Sequence, residues 1–312
     1  MDFSPKGRPR EESRLPLTMP GIERHLNAGD MQAVFLPLRG MLGASLRYRG
    51  VEFLRRLENL EAAAEKGSTA GIPLLYPWAN RLSGPGYEVL GRTVSLDLKS
   101  PLLHGDEHGL PIHGIKWSAL PWSEVSYGPT RLIARLEWNR PDWLSVFPFK
   151  HAVEMTVTLE PEALTIETTV LAGELMPASF GFHPYFGLPK TPRAQWRLKA
   201  PAMRQLELNG QGIPTGQENA FTQNDFVPGD KHLDAGFRVL ESRPEFSLSD
   251  GERQITVHFL ENFPYAQIYA PRDKDFIAIE PMTAPTAALN RGNFQTIQPG
   301  SAFHTSFQIR VK

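Results

Sequence analysis

The sequence predicts an all-β protein, a large antiparallel β-sandwich, and three observations support this fold class. Short apolar segments follow one another from Met31 to the end, separated by turn residues among the 26 Gly and 28 Pro. Several segments alternate strictly between apolar and polar residues. A helical pattern occurs once. With 312 residues, 41% of them hydrophobic, the chain can bury a large core.

The clearest alternation lies in residues 153–159 and 164–170. Val153, Met155, Val157 and Leu159 alternate with polar residues, and Leu164, Ile166 and Val170 do the same. Residues 160–163 lie between the two runs and contain a proline, so we predict an antiparallel hairpin with one buried face. Residues 255–259 and 303–311 repeat the pattern and predict two further strands.

The helical pattern covers Arg55 to Lys66, where Leu57 and Leu60 share a stripe and Gly67 can end the helix. A long surface loop is the alternative.

Residues 1–20 are polar and contain proline, which predicts a flexible N-terminal arm. No repeat or linker divides the rest, so we expect residues 21–312 to form a single β-sandwich domain.

Composition excludes several function classes. The chain has 33 Lys and Arg against 34 Asp and Glu, so no broad positive field attracts nucleic acid or anionic lipid. The absence of cysteine excludes disulfides, iron–sulfur clusters and thiol nucleophiles. No apolar run has the length of a signal peptide or a membrane span. We therefore expect a cytoplasmic protein, a monomer or homodimer, without membrane or nucleic-acid partners.

Two distant stretches place a polar group among bulky apolar neighbours. One is Ser179-Phe180-Gly181-Phe182-His183-Pro184-Tyr185-Phe186, and the other is Phe276-Ile277-Ala278-Ile279-Glu280-Pro281-Met282. Each reads as a strand with its polar group on one face. An apolar strand should raise the pKa of Glu280 by desolvation, which suits a general base, although a surface carboxylate and a core histidine are the plainer interpretations.

Together with Asn80-Arg81 in residues 76–82 and His113 in residues 111–117, these motifs resemble the aldose 1-epimerase (galactose mutarotase) family over roughly residues 30–310. The resemblance implies a galactose mutarotase-like β-sandwich with a concave sugar-binding cleft. It also implies interconversion of the α and β anomers of an aldose, a small-molecule sugar substrate.

By resemblance, Glu280 is the base that takes the proton from the C1 hydroxyl, and His183 is the acid that protonates the ring oxygen. His113 is implied as their polarising partner, while Arg81, Asn80 and Asp234 match sugar-binding positions. One group that starts ionised and one that starts protonated are sufficient for this reaction, so we expect neither a cofactor nor a metal. The expected pH profile of kcat/KM is bell-shaped, because activity falls at low pH when Glu280 is protonated and at high pH when His183 loses its proton.

Two positions depart from the family pattern. Ile115 follows His113-Gly114 where the family has a second glycine, and Phe182 precedes His183 where the family has asparagine. These departures indicate a divergent branch. A hexose-6-phosphate mutarotase is one alternative, with Lys116 and Arg193 as candidate phosphate ligands.

Two further interpretations come from different classes of protein. A non-catalytic carbohydrate-binding or sensing module would keep the cleft without efficient chemistry. The cluster from His104 to His113, which contains three histidines and two acids, is a weak candidate for binding a divalent metal.

Overall fold

A computed structural model of the chain describes residues 23–312, so the predicted arm at residues 1–20 lies outside the described residues. Strands dominate the described part. They are β1 (Arg24–Ala28), β2 (Met31–Leu36), β3 (Leu42–Tyr48), β4 (Val51–Glu52), β5 (Leu74–Leu75), β6 (Gly86–Val89), β7 (Arg92–Ser95), β8 (Ser123–Tyr127), β9 (Arg131–Trp138), β10 (His151–Glu160), β11 (Ala163–Ala172), β12 (Met176–Ala178), β13 (Gly181–Phe182), β14 (Tyr185–Phe186), β15 (Arg197–Lys199), β16 (Met203–Leu208), β17 (Pro214–Ala220), β18 (Asp225–Phe226), β19 (Leu233–Val239), β20 (Glu245–Ser249), β21 (Gln254–Glu261), β22 (Tyr265–Ala270), β23 (Ile277–Met282), β24 (Gln295–Ile297) and β25 (Ala302–Val311). The α-helices are α1 (Leu60–Lys66), α2 (Pro141–Val146) and α3 (Ala288–Arg291).

Two large antiparallel sheets form the body of the protein, which confirms the predicted fold class. The nine-stranded sheet has the order β18-β15-β20-β21-β25-β11-β10-β9-β8. The eight-stranded sheet has the order β17-β16-β19-β22-β23-β13-β5, with β14 paired to β23. A four-stranded sheet (β1 to β4) and two small strand pairs (β6–β7 and β12–β24) complete the strands.

The predicted central hairpin is confirmed as β10 and β11. Leu159 pairs with Leu164 and Glu160 pairs with Ala163, so Pro161 and Glu162 form a two-residue turn. The alternation explains this register, because a slip by one residue would move every apolar side chain to the wrong face. The strands predicted near residues 255 and 303 are also present, as β21 and β25.

A continuous hydrophobic core fills the space between the two large sheets. Phe182 of β13 meets Phe307 of β25 with ring centroids 4.9 Å apart, and Phe263 packs against both rings. Large aromatic side chains bury much area each, so these contacts contribute strongly to holding the sheets face to face. This packing leaves the opposite face of the eight-stranded sheet free to line a cavity.

Helix α1 begins at Leu60, so the predicted start at Arg55 was wrong. The backbone N–H of Arg55 donates to the carbonyl of Tyr185 at 3.0 Å, which holds this residue in an extended segment. Asn59 caps the helix by accepting a 3.0 Å hydrogen bond from the N–H of Ala62. The predicted end is confirmed, because Gly67 has a φ of 71° and ends the helix.

Candidate active site

One cavity, with a volume of about 430 Å³, opens on the eight-stranded sheet. Its size is within the range of small-molecule sites. All six site residues predicted from the sequence line it: Asn80, Arg81, His113, His183, Asp234 and Glu280. The remaining lining residues are Glu107, Ile112, Tyr185, Leu208, Gly212, His232, Gln267, Tyr269 and Thr286.

Glu280 is a buried carboxylate in the middle of strand β23, with 1% of its surface exposed. Phe276 and Ala278 share its face, as alternation predicts, and pack against Tyr185 and Tyr269. Neither carboxylate oxygen has a hydrogen-bond partner among residues 23–312. A buried polar group without a partner is costly, so these oxygens are placed to accept hydrogen bonds from a ligand.

His183 lies between the short strands β13 and β14 and is also buried. Its backbone N–H donates to the carbonyl of Pro73 at 3.1 Å, which fixes the position of the residue. The Nε2 atom of the ring is 3.2 Å from Oε1 of Glu280, but the contact is not aligned as a hydrogen bond. The structure therefore brings a basic nitrogen and a carboxylate together at the cavity.

Burial acts on both members of this pair and favours their neutral forms. It raises the pKa of Glu280 well above the usual value, with a smaller contribution from the negative charge of Asp234. It lowers the pKa of His183 to about 3, assisted by the positive charge of Arg55. The raised pKa of Glu280 agrees with the sequence-based expectation.

The starting states expected from the sequence, an ionised Glu280 and a protonated His183, therefore differ from those that burial favours. The neutral pair nevertheless contains the same number of protons as the ion pair. The two forms differ only in whether the shared proton is on Glu280 or on His183, so the pair titrates as a unit.

His113 is held by an unusual backbone conformation, with a φ of 60°. Its N–H donates to the carbonyl of Asn80 at 2.9 Å, and the next residue, Gly114, has a φ of 64°. A Cβ atom on Gly114 would lie 2.2 Å from the carbonyl oxygen of Tyr76, so glycine is required there. The ring of His113 meets that of His183 edge-on, with centroids 5.7 Å apart.

Arg81 is fixed by Asp106, whose Oδ2 accepts a 2.7 Å hydrogen bond from its Nε. The other oxygen of Asp106 accepts from the N–H groups of His108 and Leu110 at 2.9 and 2.8 Å. Both oxygens of Asp106 therefore accept hydrogen bonds that hold the loop between His104 and His113, the cluster that was considered for metal binding. Among residues 23–312, no group of three or more His, Cys, Asp or Glu side chains is arranged to hold a metal ion.

Gln267 connects two of the predicted residues and was missed by sequence reasoning. Its amide nitrogen donates to Oδ1 of Asp234 at 2.5 Å, and in the β22–β23 ladder it lies directly opposite Glu280. A sequence pattern could have identified Gln267, because Tyr265, Gln267 and Tyr269 alternate with buried apolar residues. That alternation places polar groups of β22 on the cavity face of the sheet.

Neither candidate phosphate ligand lines the cavity. The ammonium group of Lys116 donates to the carbonyl of Glu65 at 2.9 Å. Arg193 is buried, and its guanidinium donates to the backbone carbonyls of Lys231, Ala270 and Lys274. The suggestion that these two residues bind a phosphate is therefore not supported by their positions.

The fold and cavity describe a galactose mutarotase-like β-sandwich with a buried histidine and a buried glutamate side by side in its cleft. The family model named aldose 1-epimerase matches residues 29–310, and the chain belongs to this family. The predicted family membership is thus confirmed. No helix among residues 23–312 is long and apolar enough to cross a membrane.

Individual relatives are distant in sequence. The Slr1438 protein of Synechocystis sp. PCC 6803 is 23% identical with a TM-score of 0.75, and 93% of this chain and 95% of that chain are covered. A galactose mutarotase-like protein of Clostridium acetobutylicum is 18% identical with a TM-score of 0.79, covering 92% and 94% of the two chains. The YihR protein of Escherichia coli K12 is 22% identical over 76% of this chain and 77% of its own length. The structural similarities support the fold.

Proposed function

We propose that this protein is an aldose 1-epimerase that interconverts the α and β anomers of an aldose by opening and closing the sugar ring. The observation that carries this proposal is the buried pair formed by His183 and Glu280, 3.2 Å apart at the wall of the cavity. The reaction removes a proton from the C1 hydroxyl and adds one to the ring oxygen. Both oxygens are bonded to C1, so an acid and a base must lie close together.

Glu280 acts as the base and His183 as the acid. A sugar hydroxyl that donates to the unpartnered oxygens of Glu280 favours the ionised carboxylate, because hydrogen bonds to a charged form stabilise it. The shared proton then moves to His183, which delivers it to the ring oxygen. The ring opens, the C1 carbonyl turns, and the reverse transfers close the ring on the other face.

The other cavity residues bind and orient the sugar. His113 adjoins His183 and supports the charge that develops near C1. Arg81, Asn80 and Asp234 bind the hydroxyls, with Arg81 held in place by Asp106. Fixed donors and acceptors of this kind contribute to catalysis by orienting the substrate before the chemical step.

The charges around the cavity favour a neutral aldose over a sugar phosphate. Arg81 is the one Lys or Arg among the described lining residues, and it is paired with Asp106 and lies 3.6 Å from Glu107. Asp234 and Glu280 add further acidic groups. A phosphate would meet acidic groups without a free cation from this lining, so we expect discrimination against phosphorylated substrates.

A carbohydrate-binding module remains the alternative from another class. Binding requires hydrogen bonds to hydroxyls, whereas a buried acid/base pair at one wall is needed only for proton transfer. The burial of both groups therefore favours the enzyme. Lack of a cofactor, a cytoplasmic location and a monomeric or dimeric state stay predictions of the sequence.

Anomer exchange measured by NMR or polarimetry over a panel of free and phosphorylated aldoses tests the proposal. We expect exchange above the spontaneous rate for at least one neutral aldose and weaker catalysis for its phosphate. Tight sugar binding without exchange would support the binding module instead. A preference for phosphorylated aldoses would contradict the assignment of substrate class.

A further inference from the structure

Thr286 places a hydroxyl group at the cavity that no other residue uses. The residue lines the cavity and is 7% exposed, so nearly all of it is packed inside the protein. Its hydroxyl group forms no hydrogen bond with any other group of residues 23–312. The oxygen is not fully enclosed by the surrounding atoms, so it reaches the cavity. A polar group packed without a partner costs stability and requires a physical explanation.

Helix capping does not provide this explanation. A threonine just before a helix usually caps it, by accepting a hydrogen bond from a free backbone N–H of the first turn. Helix α3 begins at Ala288, but the residue before it is Ala287, and no side chain caps this helix. Ala287 has a φ of 59°, which is uncommon for a residue other than glycine. The chain therefore turns between Thr286 and the helix and leaves the hydroxyl without a structural task.

The loop that carries Thr286, residues 283–287, is held at both ends. The N–H and the hydroxyl of Thr283 both donate to the carbonyl of Phe180, each at 2.9 Å. The N–H of Ala287 donates to the carbonyl of Arg81 at 3.0 Å. Because both ends are fixed, the loop positions Thr286 before a ligand enters. A group fixed in advance binds a ligand at a lower cost in entropy.

This attachment also places Thr286 within the cavity wall. The carbonyl that holds the loop belongs to Arg81, which forms a β-bridge with Ile112, so Thr286 is on the wall made by these two segments. The eight-stranded sheet forms another wall and supplies Asp234, Gln267 and Glu280. A sugar in the cavity therefore meets Thr286 and the proposed base on different sides.

We propose that Thr286 is a substrate-binding residue whose hydroxyl forms a hydrogen bond with one hydroxyl of the aldose. This inference rests on the proposed function. Arginine only donates hydrogen bonds and an ionised aspartate only accepts them, whereas a threonine hydroxyl does both, as a sugar hydroxyl does. A site that binds one hydroxyl in this way disfavours a sugar that lacks it, because the protein group then stays unpaired. Thr286 thus contributes to the choice among aldoses.

The test compares Thr286→Val, which keeps the shape and removes the hydroxyl, with Thr286→Ser, which keeps the hydroxyl. Thr283→Val is the matched control in the same loop, since Thr283 does not line the cavity. Isothermal titration measures affinity for the neutral D-aldohexoses and D-aldopentoses, D-glucose and D-galactose among them. Thr286→Val should bind the best aldose about three- to tenfold more weakly than the wild type, because one hydrogen bond is lost. Thr286→Ser and Thr283→Val should stay within about twofold.

Thermal stability should distinguish the two valine variants in the opposite sense. Thr283→Val removes a hydrogen bond to the carbonyl of Phe180, so it should lower the melting temperature. Thr286→Val removes a hydroxyl without a partner, so it should melt at or above the wild-type temperature. A Thr286→Val variant that melts below Thr283→Val would show that the Thr286 hydroxyl supports the fold and would contradict the proposal.

Monodeoxy analogues of the best-binding aldose identify the hydroxyl that Thr286 contacts. The analogue that lacks this hydroxyl should bind equally to the wild type and to Thr286→Val, because the hydrogen bond is absent in both complexes. The other analogues should keep the difference between the two proteins. An equal effect of Thr286→Val on every analogue would overturn the proposed contact.

The titration requires no turnover, so it separates the two proposals. Weaker binding by Thr286→Val, in a protein whose wild type does not exchange anomers, would support the sugar contact and contradict the proposed function. Anomer exchange by the wild type with unchanged affinity in Thr286→Val would support the function and reject the contact. Failure of the wild type to bind any aldose of the panel would contradict both.

Discussion

Gln267 lies directly opposite Glu280 in the β22–β23 ladder and donates a 2.5 Å hydrogen bond to Asp234. The amide thus sits on the same face as two carboxylates, one buried and one at the cavity wall. The negative charge of Asp234 adds to burial in raising the pKa of Glu280. Under the proposed function, sugar binding at Asp234 and proton transfer at Glu280 are therefore expected to be coupled through neighbouring strands.

Replacing Gln267 by leucine should raise KM more than it lowers kcat. The change removes the donor that orients Asp234, so sugar hydroxyls lose a fixed acceptor, and we expect a KM increase of about tenfold. Steady-state anomerisation kinetics check this. The control is Gln308→Leu, which removes a 3.0 Å hydrogen bond to Thr165 outside the cavity. Equal effects of both changes would contradict the role of Gln267.

Replacing Glu280 by glutamine should stabilise the fold while removing activity. The folded-state pKa of Glu280 lies above the unfolded one, so the cost of burying it is absent below about pH 4 and grows as the pH rises. As the pH rises, the free energy of unfolding of Glu280→Gln minus that of the wild type should increase by up to about 1.4 kcal/mol per pH unit, until the pH passes the folded-state pKa of Glu280. Urea unfolding at several pH values measures it.

The exposed Glu160 supplies the control for this experiment, since Glu160→Gln changes a side chain that is in water in the folded protein and should alter stability little. A Glu280→Gln variant that is less stable than the wild type at neutral pH would show that the carboxylate contributes to the fold instead of costing stability.

The pH profile of kcat/KM should have a broad plateau. On the acid side, the pair loses activity when His183 takes up a second proton, so this limb should lie toward pH 3. On the alkaline side, activity falls when the pair loses its single proton, and the raised pKa of Glu280 sets the position of that limb. This order of limbs is opposite to the one expected from the sequence. Limbs near the ordinary values of about 4.3 and 6.5 would contradict it. Circular dichroism at each pH shows whether the fold persists.

Replacing Gly114 by alanine should impair both stability and catalysis. Its Cβ would lie 2.2 Å from the carbonyl oxygen of Tyr76, so the loop that carries His113 must shift. We expect a loss of more than about 2 kcal/mol in the free energy of unfolding and a lower kcat. Gly50→Ala is the control, since Gly50 also has a positive φ but no atom within 4 Å of its Cβ position. Similar losses in both variants would reject the contact as the cause.

Local alternation predicted the elements whose partners are close in sequence. The β10–β11 hairpin is an example, because its burial pattern and its two-residue turn specify the same register. The start of α1 was missed because Arg55 is held by a backbone hydrogen bond to Tyr185, and no local pattern encodes that contact. Helix propensity is overridden where a distant strand pairs with the segment.

The site was predictable where a polar group interrupts an apolar run, as at Glu280. The partners that hold the site residues could not be predicted. Asp106, in a loop, accepts the hydrogen bond that fixes Arg81, and Thr69, far from the site in the sequence, is hydrogen-bonded to Tyr185. Such partners are selected by the fold, and serine, threonine and aspartate are too common in loops to be recognised.

Anomer exchange of a neutral aldose by the wild type, Glu280→Gln and His183→Asn is the most direct test of the central claim that these two residues transfer the protons. NMR exchange spectroscopy measures the rate at equilibrium, and isothermal titration measures sugar affinity in parallel. We predict that each variant loses at least about a hundredfold in exchange rate while affinity stays within about tenfold. Near-normal exchange in either variant would contradict the account.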